Sequence, residues 1–197
     1  MKKWSHYLFE AFLIVFSVLF ALSIENYVER LKIKNQKTIA IQRIKLEVER
    51  NSRILVEWIP KHQKVYDLLN SLATGKNDTL RNALAQDKYF NFGILTDEKQ
   101  IINDMLSNTA WDTAKSTGII TEFDFELVEE LTKVYSHQDL MMNGTLQNIL
   151  TILMNQQTYD TQRLDENVKQ LELNFRELTG QERVLAKLYE ASLMKLI

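Results

Sequence analysis

The sequence predicts an all-α protein in which a single N-terminal transmembrane helix continues into an antiparallel helical bundle. Three observations support this prediction. From Leu8 to Ile24 every residue is apolar or small except Glu10. Beyond this segment, apolar residues recur at spacings of three, four and seven, which is the period of an amphipathic helix. The 197 residues include one proline and five glycines, too few turn residues for an all-β fold.

Composition narrows the functional classes. The net charge is -2, and no basic patch with interleaved aromatic residues occurs, so we expect no nucleic-acid partner. The chain has no cysteine, which excludes disulfides, zinc thiolates and thiol catalysis. Hydrophobic residues make up 45% and charged residues 25%, as in ordinary folded proteins.

The apolar segment has the length of a membrane span. As a helix it covers about 25 Å, and Trp4, Tyr7 and Tyr27 extend it as interfacial side chains. One alternative is a cleaved signal peptide, with lysines at 2–3 and a cleavage-like sequence at 21–23. A buried core helix is the other. A helix that is apolar on all sides favours an uncleaved anchor in the lipid bilayer.

One face of this helix differs from the rest. Glu10, Ile14, Ser17, Ala21 and Glu25 align on it, and Ser17 with Ala21 forms a pair of small residues that lets another helix approach closely. In one interpretation Glu10 is hydrated in the headgroup layer. In the other, the face packs against another transmembrane subunit or a second copy of the chain, with a hydrogen bond to Glu10.

The helical pattern continues after the span. We divide the chain into an anchor at 1–27, a charged helical stalk at 28–40 and a helical bundle domain at 41–197. An apolar stripe that includes Asn51 predicts that the first helix of the bundle runs on to Pro60, which should end it. The aliphatic members of this stripe are Ile41, Ile44, Val48 and Leu55, followed by Trp58. A second helix is predicted at about 61–74, with Gly75 as its C-cap.

Shorter elements follow. Helical segments are predicted near 78–86 and 97–117, the latter closed by Gly118, and the aromatic connector at 89–93 should pack on the bundle. Asp124 is a candidate N-cap for the next helix.

The last third of the chain is also predicted to be helical. The helix that begins after Asp124 should run to Leu153, broken or bent at Gly144. Another helix is predicted at 160–178. Thr179 and Glu182 have capping-box spacing, which predicts a separate final helix.

Two stretches together carry a family resemblance. The first is the pattern E-x-x-L-I-V-x-S-x-x-x-A-L-x-I-x-N-Y, which ends at Asn26 and Tyr27. The second is AWDTAKSTGIITEFDFELVEELTKVYSHQD, which contains Trp111, Gly118 and Tyr135. They resemble a family of uncharacterised single-span membrane proteins of Gram-negative bacteria that carry a domain of unknown function. Its members usually have glycine at the position of Ser17 and tryptophan at that of Tyr27. The resemblance covers roughly residues 8–58 and 105–140.

The resemblance implies a location in the bacterial inner membrane, with the N-terminus in the cytoplasm and the bulk of the chain in the periplasm. The charge count opposes it. Two lysines precede the span, whereas four basic residues follow it at positions 30, 32, 34 and 37, which by the positive-inside rule favours the reverse orientation. We adopt the orientation that the resemblance implies. The family supplies no known reaction.

Catalytic patterns are absent from the sequence. His6, His62 and His137 lie far apart and show no metal-ligand spacing, and no nucleophile elbow, phosphate loop or dinucleotide fingerprint occurs. We therefore predict no enzyme activity, no metal and no cofactor. Trp111 could line a pocket, but a tryptophan on a short helix is more often a core residue, and we expect Trp111 and Tyr135 to be structural.

Two functional classes remain. The first is an accessory or scaffolding subunit of a membrane protein complex, which the packing face of the span favours. The second is an extracytoplasmic sensor that holds a small ligand between its helices. A sensor must signal to the cytoplasm, and only about seven residues precede the span. We therefore expect the accessory subunit.

Overall fold

The computed structural model describes residues 2–86 and 89–196 and confirms the all-α class. Seven α-helices account for most of these residues: α1 (Lys2–Ala73), α2 (Asp78–Ala85), α3 (Gly93–Thr96), α4 (Thr109–Ser116), α5 (Phe125–Asp139), α6 (Gln147–Met154) and α7 (Leu164–Lys195). Within the described ranges, the β-structure is an isolated bridge between Tyr89 and Asp160.

Helix α1 has 72 residues and joins the apolar N-terminal segment to the bundle without interruption. It is long and apolar enough near its N-terminus to cross a membrane, and none of its most apolar window is buried. The predicted end at Pro60 is wrong, because α1 passes through this residue. A proline inside a helix costs about 3 kcal/mol. Burial of Leu55 and Trp58 before it, and of Val65 and Leu69 after it, offsets that cost.

The end of α1 is confirmed at Gly75. This residue has a φ of 66°, in the left-handed region that glycine adopts without strain. Its N–H donates to the carbonyl oxygen of Leu72, and the N–H of Lys76 donates to that of Ser71, which is the Schellman pattern.

The predicted helical segment at 97–117 is shorter than expected. Only Thr109–Ser116 is α-helical, because Asp97 and Glu98 adopt positive φ angles that end α3 and turn the chain into an irregular segment. Gly118, with a φ of 75°, closes α4 as predicted, and a 3₁₀ turn follows at Ile119–Glu122.

The aromatic connector packs on the bundle where the structure describes it. The Phe90 ring is 1% exposed and lies near the rings of Phe92 and Tyr159. Phe92 in turn contacts the ring of Phe175 on α7. The connector is therefore part of the core.

Asp124 occupies the predicted N-cap position of α5, but its side chain makes no capping hydrogen bond. Its carboxylate instead lies 3.6 Å from the ammonium group of Lys37. Gly144 does not break the chain's helical course. It lies within a π-helical turn, Leu140–Leu146, that joins α5 to α6.

The separate final helix predicted at Thr179 is wrong. Helix α7 runs unbroken over 32 residues, and the Thr179 hydroxyl donates to the carbonyl oxygen of Arg176 in the preceding turn. Glu182 caps no helix, because its side chain is buried against α1. Apolar residues before and after this point, Leu178 and Leu185, are fully buried, so packing holds both halves in one helix.

Three helices build the centre of the bundle. Helix α7 is antiparallel to α1, since His62 contacts Glu182, whereas Asn51, earlier on α1, and Tyr189, later on α7, meet at the same oxygen of Gln138. Helix α5 is parallel to α1, since Glu47 contacts Tyr135 and Asn51 contacts Gln138. The short helices and connecting segments cover this three-helix centre.

Candidate functional site

A groove of about 650 Å³ lies between α1 and α4, at the end of the bundle that is nearest to the apolar segment. On α1 it is lined by Gln36, Ile39, Ala40, Arg43, Leu46, Glu47 and Arg50. The opposite wall consists of Ser107, Thr109, Ala110, Thr113, Ala114, Thr117 and Ile119. Its volume falls within the usual range for binding pockets, about 300–1,000 Å³.

Apolar side chains are exposed in this groove. Ile39 is 48% exposed and Leu46 is 58% exposed, although both lie on the helix that supplies the core of the bundle. Across from them, α4 presents small side chains, including Ala110 and Ala114, whose size leaves the space open. Covering exposed aliphatic side chains removes apolar surface from water, which lowers the free energy. This surface is therefore suited to contact an apolar partner.

Two guanidinium groups line the same groove and differ in their contacts. Arg50 donates from Nη2 to both carboxylate oxygens of Asp104, at 3.0 and 3.1 Å, which lowers the pKa of Asp104. Arg43 is exposed and makes no hydrogen bond or ion pair with any described residue. Arg43 is therefore available to an anionic group of a partner.

The floor of the groove is fixed by Glu47. One carboxylate oxygen, Oε2, accepts hydrogen bonds from the Ser107 hydroxyl at 2.7 Å and the Ala110 N–H at 2.9 Å. The other, Oε1, accepts from the Tyr135 hydroxyl at 2.8 Å and the Trp111 N–H at 3.4 Å. A carboxylate at a helix N-terminus satisfies N–H groups that have no partner within the helix. Glu47 thus positions α4 against α1.

A second set of buried polar groups extends this arrangement. The Asn51 amide donates to the carbonyl oxygen of Ser107 at 2.7 Å and accepts from the Ser107 N–H at 2.9 Å. It also donates to Gln138 Oε1 at 3.2 Å, and the Tyr189 hydroxyl donates to the same atom at 2.6 Å. These bonds join α1, α5 and α7 to the segment before α4.

Trp111 and Tyr135 pack face to face within the core. Their ring centroids are 5.3 Å apart with an interplanar angle of 2°, and the side chains are 4% and 5% exposed. Trp111 also forms part of the wall of a surface hollow, and the Lys115 ammonium group lies 5.7 Å from its ring centroid. The low exposure means that the indole contributes packing rather than an open binding surface. Burial, and then the Glu47 carboxylate, raises the pKa of the Tyr135 hydroxyl well above its usual range.

The residues predicted from the span and from the family motif occupy separate places. Glu10, Ile14, Ser17 and Ala21 are exposed on α1, and Asn26 and Tyr27 are likewise exposed. The structure brings Trp111 and Tyr135 into contact, and Gly118 ends the helix that carries Trp111.

Sequence reasoning missed the buried polar residues. Glu47, His62, Gln138 and Glu182 are all buried, yet only Asn51 stood out in an apolar stripe. A usable signal existed, because His62 is four residues after Trp58 and three before Val65, on the buried side of α1. Polar residues in such positions need partners, although the sequence does not name those partners.

Metal-binding geometry and similarity to known proteins give no further assignment. Among the described residues, no three His, Asp or Glu side chains come close enough to hold a metal ion. No family model, no curated protein and no solved structure matches the chain, so the family resemblance stays a prediction.

Proposed function

We propose that this protein is a membrane-anchored accessory or scaffolding subunit of a membrane protein complex, and that the groove between α1 and α4 binds a partner subunit. The observation that carries the proposal is the combination, in one groove, of exposed Ile39 and Leu46 with the unpaired Arg43. Apolar contact supplies most of the affinity of such a surface, and a desolvated arginine adds specificity for an acidic group.

The position of the groove suits a partner in the same membrane. Gln36, its first residue, is twelve residues beyond Ile24, or about 18 Å along α1. A segment that leaves the bilayer beside α1 reaches the groove after about three turns of helix.

In this proposal residues 1–27 anchor the chain in the inner membrane of a bacterium, and residues 28–40 form the stalk. The N-terminus lies in the cytoplasm and the bundle in the periplasm, as the family resemblance implies. The face formed by Glu10, Ile14, Ser17 and Ala21 packs against another transmembrane helix. Its exposure on α1, and the small size of Ser17 and Ala21, support this contact.

The test compares charge-introducing variants inside and outside the groove. Leu46→Glu and Arg43→Glu should abolish co-purification of a membrane protein from native membranes in mild detergent. Val56→Glu and Arg53→Glu, at exposed positions of α1 outside the groove, should leave it intact. A partner retained equally by all four variants would show that the groove is not its binding site.

The volume of the groove also favours a second candidate function, a sensor of small amphiphilic ligands. Native mass spectrometry distinguishes the two functions. A small molecule retained by the wild-type chain and by Val56→Glu but lost from Leu46→Glu, with no co-purifying protein, would favour the sensor.

A further inference from the structure

An exposed seam of eight residues runs along α1 from the apolar segment into the stalk. Its members are spaced alternately by four and three residues: Glu10, Ile14, Ser17, Ala21, Ile24, Val28, Leu31 and Asn35. All eight are exposed. The mean spacing of 3.5 residues is that of positions a and d in a coiled coil, where two helices pack along a common seam.

The bundle leaves this seam uncovered. Ile44, at the start of the buried stripe of α1, is nine residues beyond Asn35, about two and a half turns, and so it faces the opposite side of the helix. A second helix can therefore lie along the seam for about 39 Å without meeting the bundle.

The part of the seam in the apolar segment permits close packing. The Ser17 hydroxyl donates to the carbonyl oxygen of Leu13 at 2.7 Å, so its hydrogen bond is already made within the helix. Ser17 and Ala21 thus act through their small size, which lets two backbones approach.

The part of the seam in the stalk is stronger evidence for a protein partner than the part in the span. Val28 is 57% exposed and Leu31 is 50% exposed on a segment rich in charged residues. Lipid can cover apolar side chains within the span. In water, Val28 and Leu31 are removed from solvent only by contact with another protein surface.

We propose that the seam binds a second copy of this chain, in parallel and in register. Two copies inserted in the same orientation are parallel, and register places Asn35, at an a position, opposite Asn35 of the second copy. A single asparagine at an a position fixes register and favours two strands, because the two amides can hydrogen-bond to each other.

The flanking positions agree with this pairing. Parallel packing places Tyr27 beside Lys32, and Lys34 beside Ile39, of the second copy, so no like charges meet across the stalk. At the other end of the seam the two Glu10 side chains come together at a d position. In a second copy, Asn35 and Glu10 each meet their own counterpart by symmetry, so both polar positions are matched at once.

This inference rests on the membrane anchoring of the proposed function and uses a surface that borders the groove at Ile39. The natural absence of cysteine allows single cysteines to be introduced into the full chain in native membranes. Val28→Cys and Leu31→Cys on the seam should form a disulfide-linked species of twice the 23.2 kDa chain mass under mild oxidation. Glu29→Cys and Arg30→Cys, their neighbours on other faces, should not.

A second variant tests the role of the seam itself. Adding Leu31→Asp to Val28→Cys should reduce the linked fraction by about tenfold, because it places a charge at the contact, whereas adding Arg30→Asp should not. Equal linkage at all four cysteine positions, or none on the seam, would overturn the proposal. A linked species of another mass would show that a different protein occupies the seam. Because the groove variants are assayed separately, their partner binding can persist or fail independently of these outcomes.

Discussion

Nδ1 of His62 lies 2.5 Å from Oε1 of Glu182, and both side chains are almost completely buried between α1 and α7. Nε2 of the same ring lies 3.0 Å from the carbonyl oxygen of Ile101 and must carry a proton to donate to it. A further proton therefore lies between Nδ1 and the carboxyl group, and the ring joins both long helices to the segment before α4.

Removing one member of this pair should be strongly destabilising. We expect Glu182→Ala or His62→Ala to lower the free energy of unfolding by about 3–5 kcal/mol, because the remaining polar group is buried without its partner. The double variant His62→Phe/Glu182→Leu should lose much less. Denaturant unfolding measures all three. As a control, Glu129→Ala at the exposed pair with Lys133 should change the free energy of unfolding little, because water screens an exposed ion pair. Additive losses in the double variant would contradict the coupling.

Trp111→Ala should clearly lower the melting temperature, because truncation of a buried tryptophan costs about 3–5 kcal/mol. Trp111→Phe keeps an aromatic ring against Tyr135 and should lose less. Circular dichroism melts of both variants provide the measurement. An unchanged melting temperature in Trp111→Ala would show that the indole is not part of the core.

Stability should fall at alkaline pH. Burial raises the pKa of Tyr135 and of Tyr189, so the folded chain keeps two protons that the unfolded chain releases at a pH of about 10. Their contribution is complete below that pH and decreases above it, by up to about 1.4 kcal/mol per pH unit for each tyrosine. Tyr189→Phe should therefore lose unfolding free energy less steeply than the wild type between about pH 10 and about pH 11.5. Identical slopes in the wild type and the variant would contradict this assignment.

The bundle should fold without the apolar segment. The first residue of α1 that packs on the core is Ala40, and the first fully buried one is Ile44. A chain that begins near Lys37 should therefore give a helical circular dichroism spectrum and a cooperative melt. A non-cooperative melt would mean that the bundle depends on its anchor.

The orientation in the membrane has a direct test. An alkaline phosphatase fused after Ile197 should be active if the bundle is periplasmic, and a reporter active only in the cytoplasm should be silent at the same point. The opposite pattern would favour the charge count, in which the basic residues after the span remain inside.

Local periodicity predicted much of the fold, because it depends on which residues of one helix share a face. The stripe from Ile44 to Trp58 is buried as its spacing indicates. The two wrong boundaries, at Pro60 and Thr179, came from local signals of helix ends. Tertiary packing overrides such signals when buried residues flank them on both sides, as they do at both positions.

The candidate site was less accessible to prediction. The proposed packing face of the span follows from spacing alone, so its residues from Glu10 to Ala21 could be named in advance. The groove exists only because Glu47 holds the N-terminus of α4, more than sixty residues later in the chain. The pairing of His62 with Glu182 spans 120 residues. Contacts at such separations depend on how helices are arranged in space, and no local pattern encodes them.

The continuity of α1 has a mechanical consequence. As an unbroken helix of 72 residues it is a lever of about 108 Å, with one end in the apolar segment and the other at the far side of the bundle. The 46 residues from Val28, where the stalk begins, to Ala73 extend about 69 Å, so a tilt of about 10° at the membrane displaces the distal end by about 12 Å. A change in bilayer thickness or in the crossing angle of neighbouring spans would thus swing the groove and the whole bundle relative to the membrane plane.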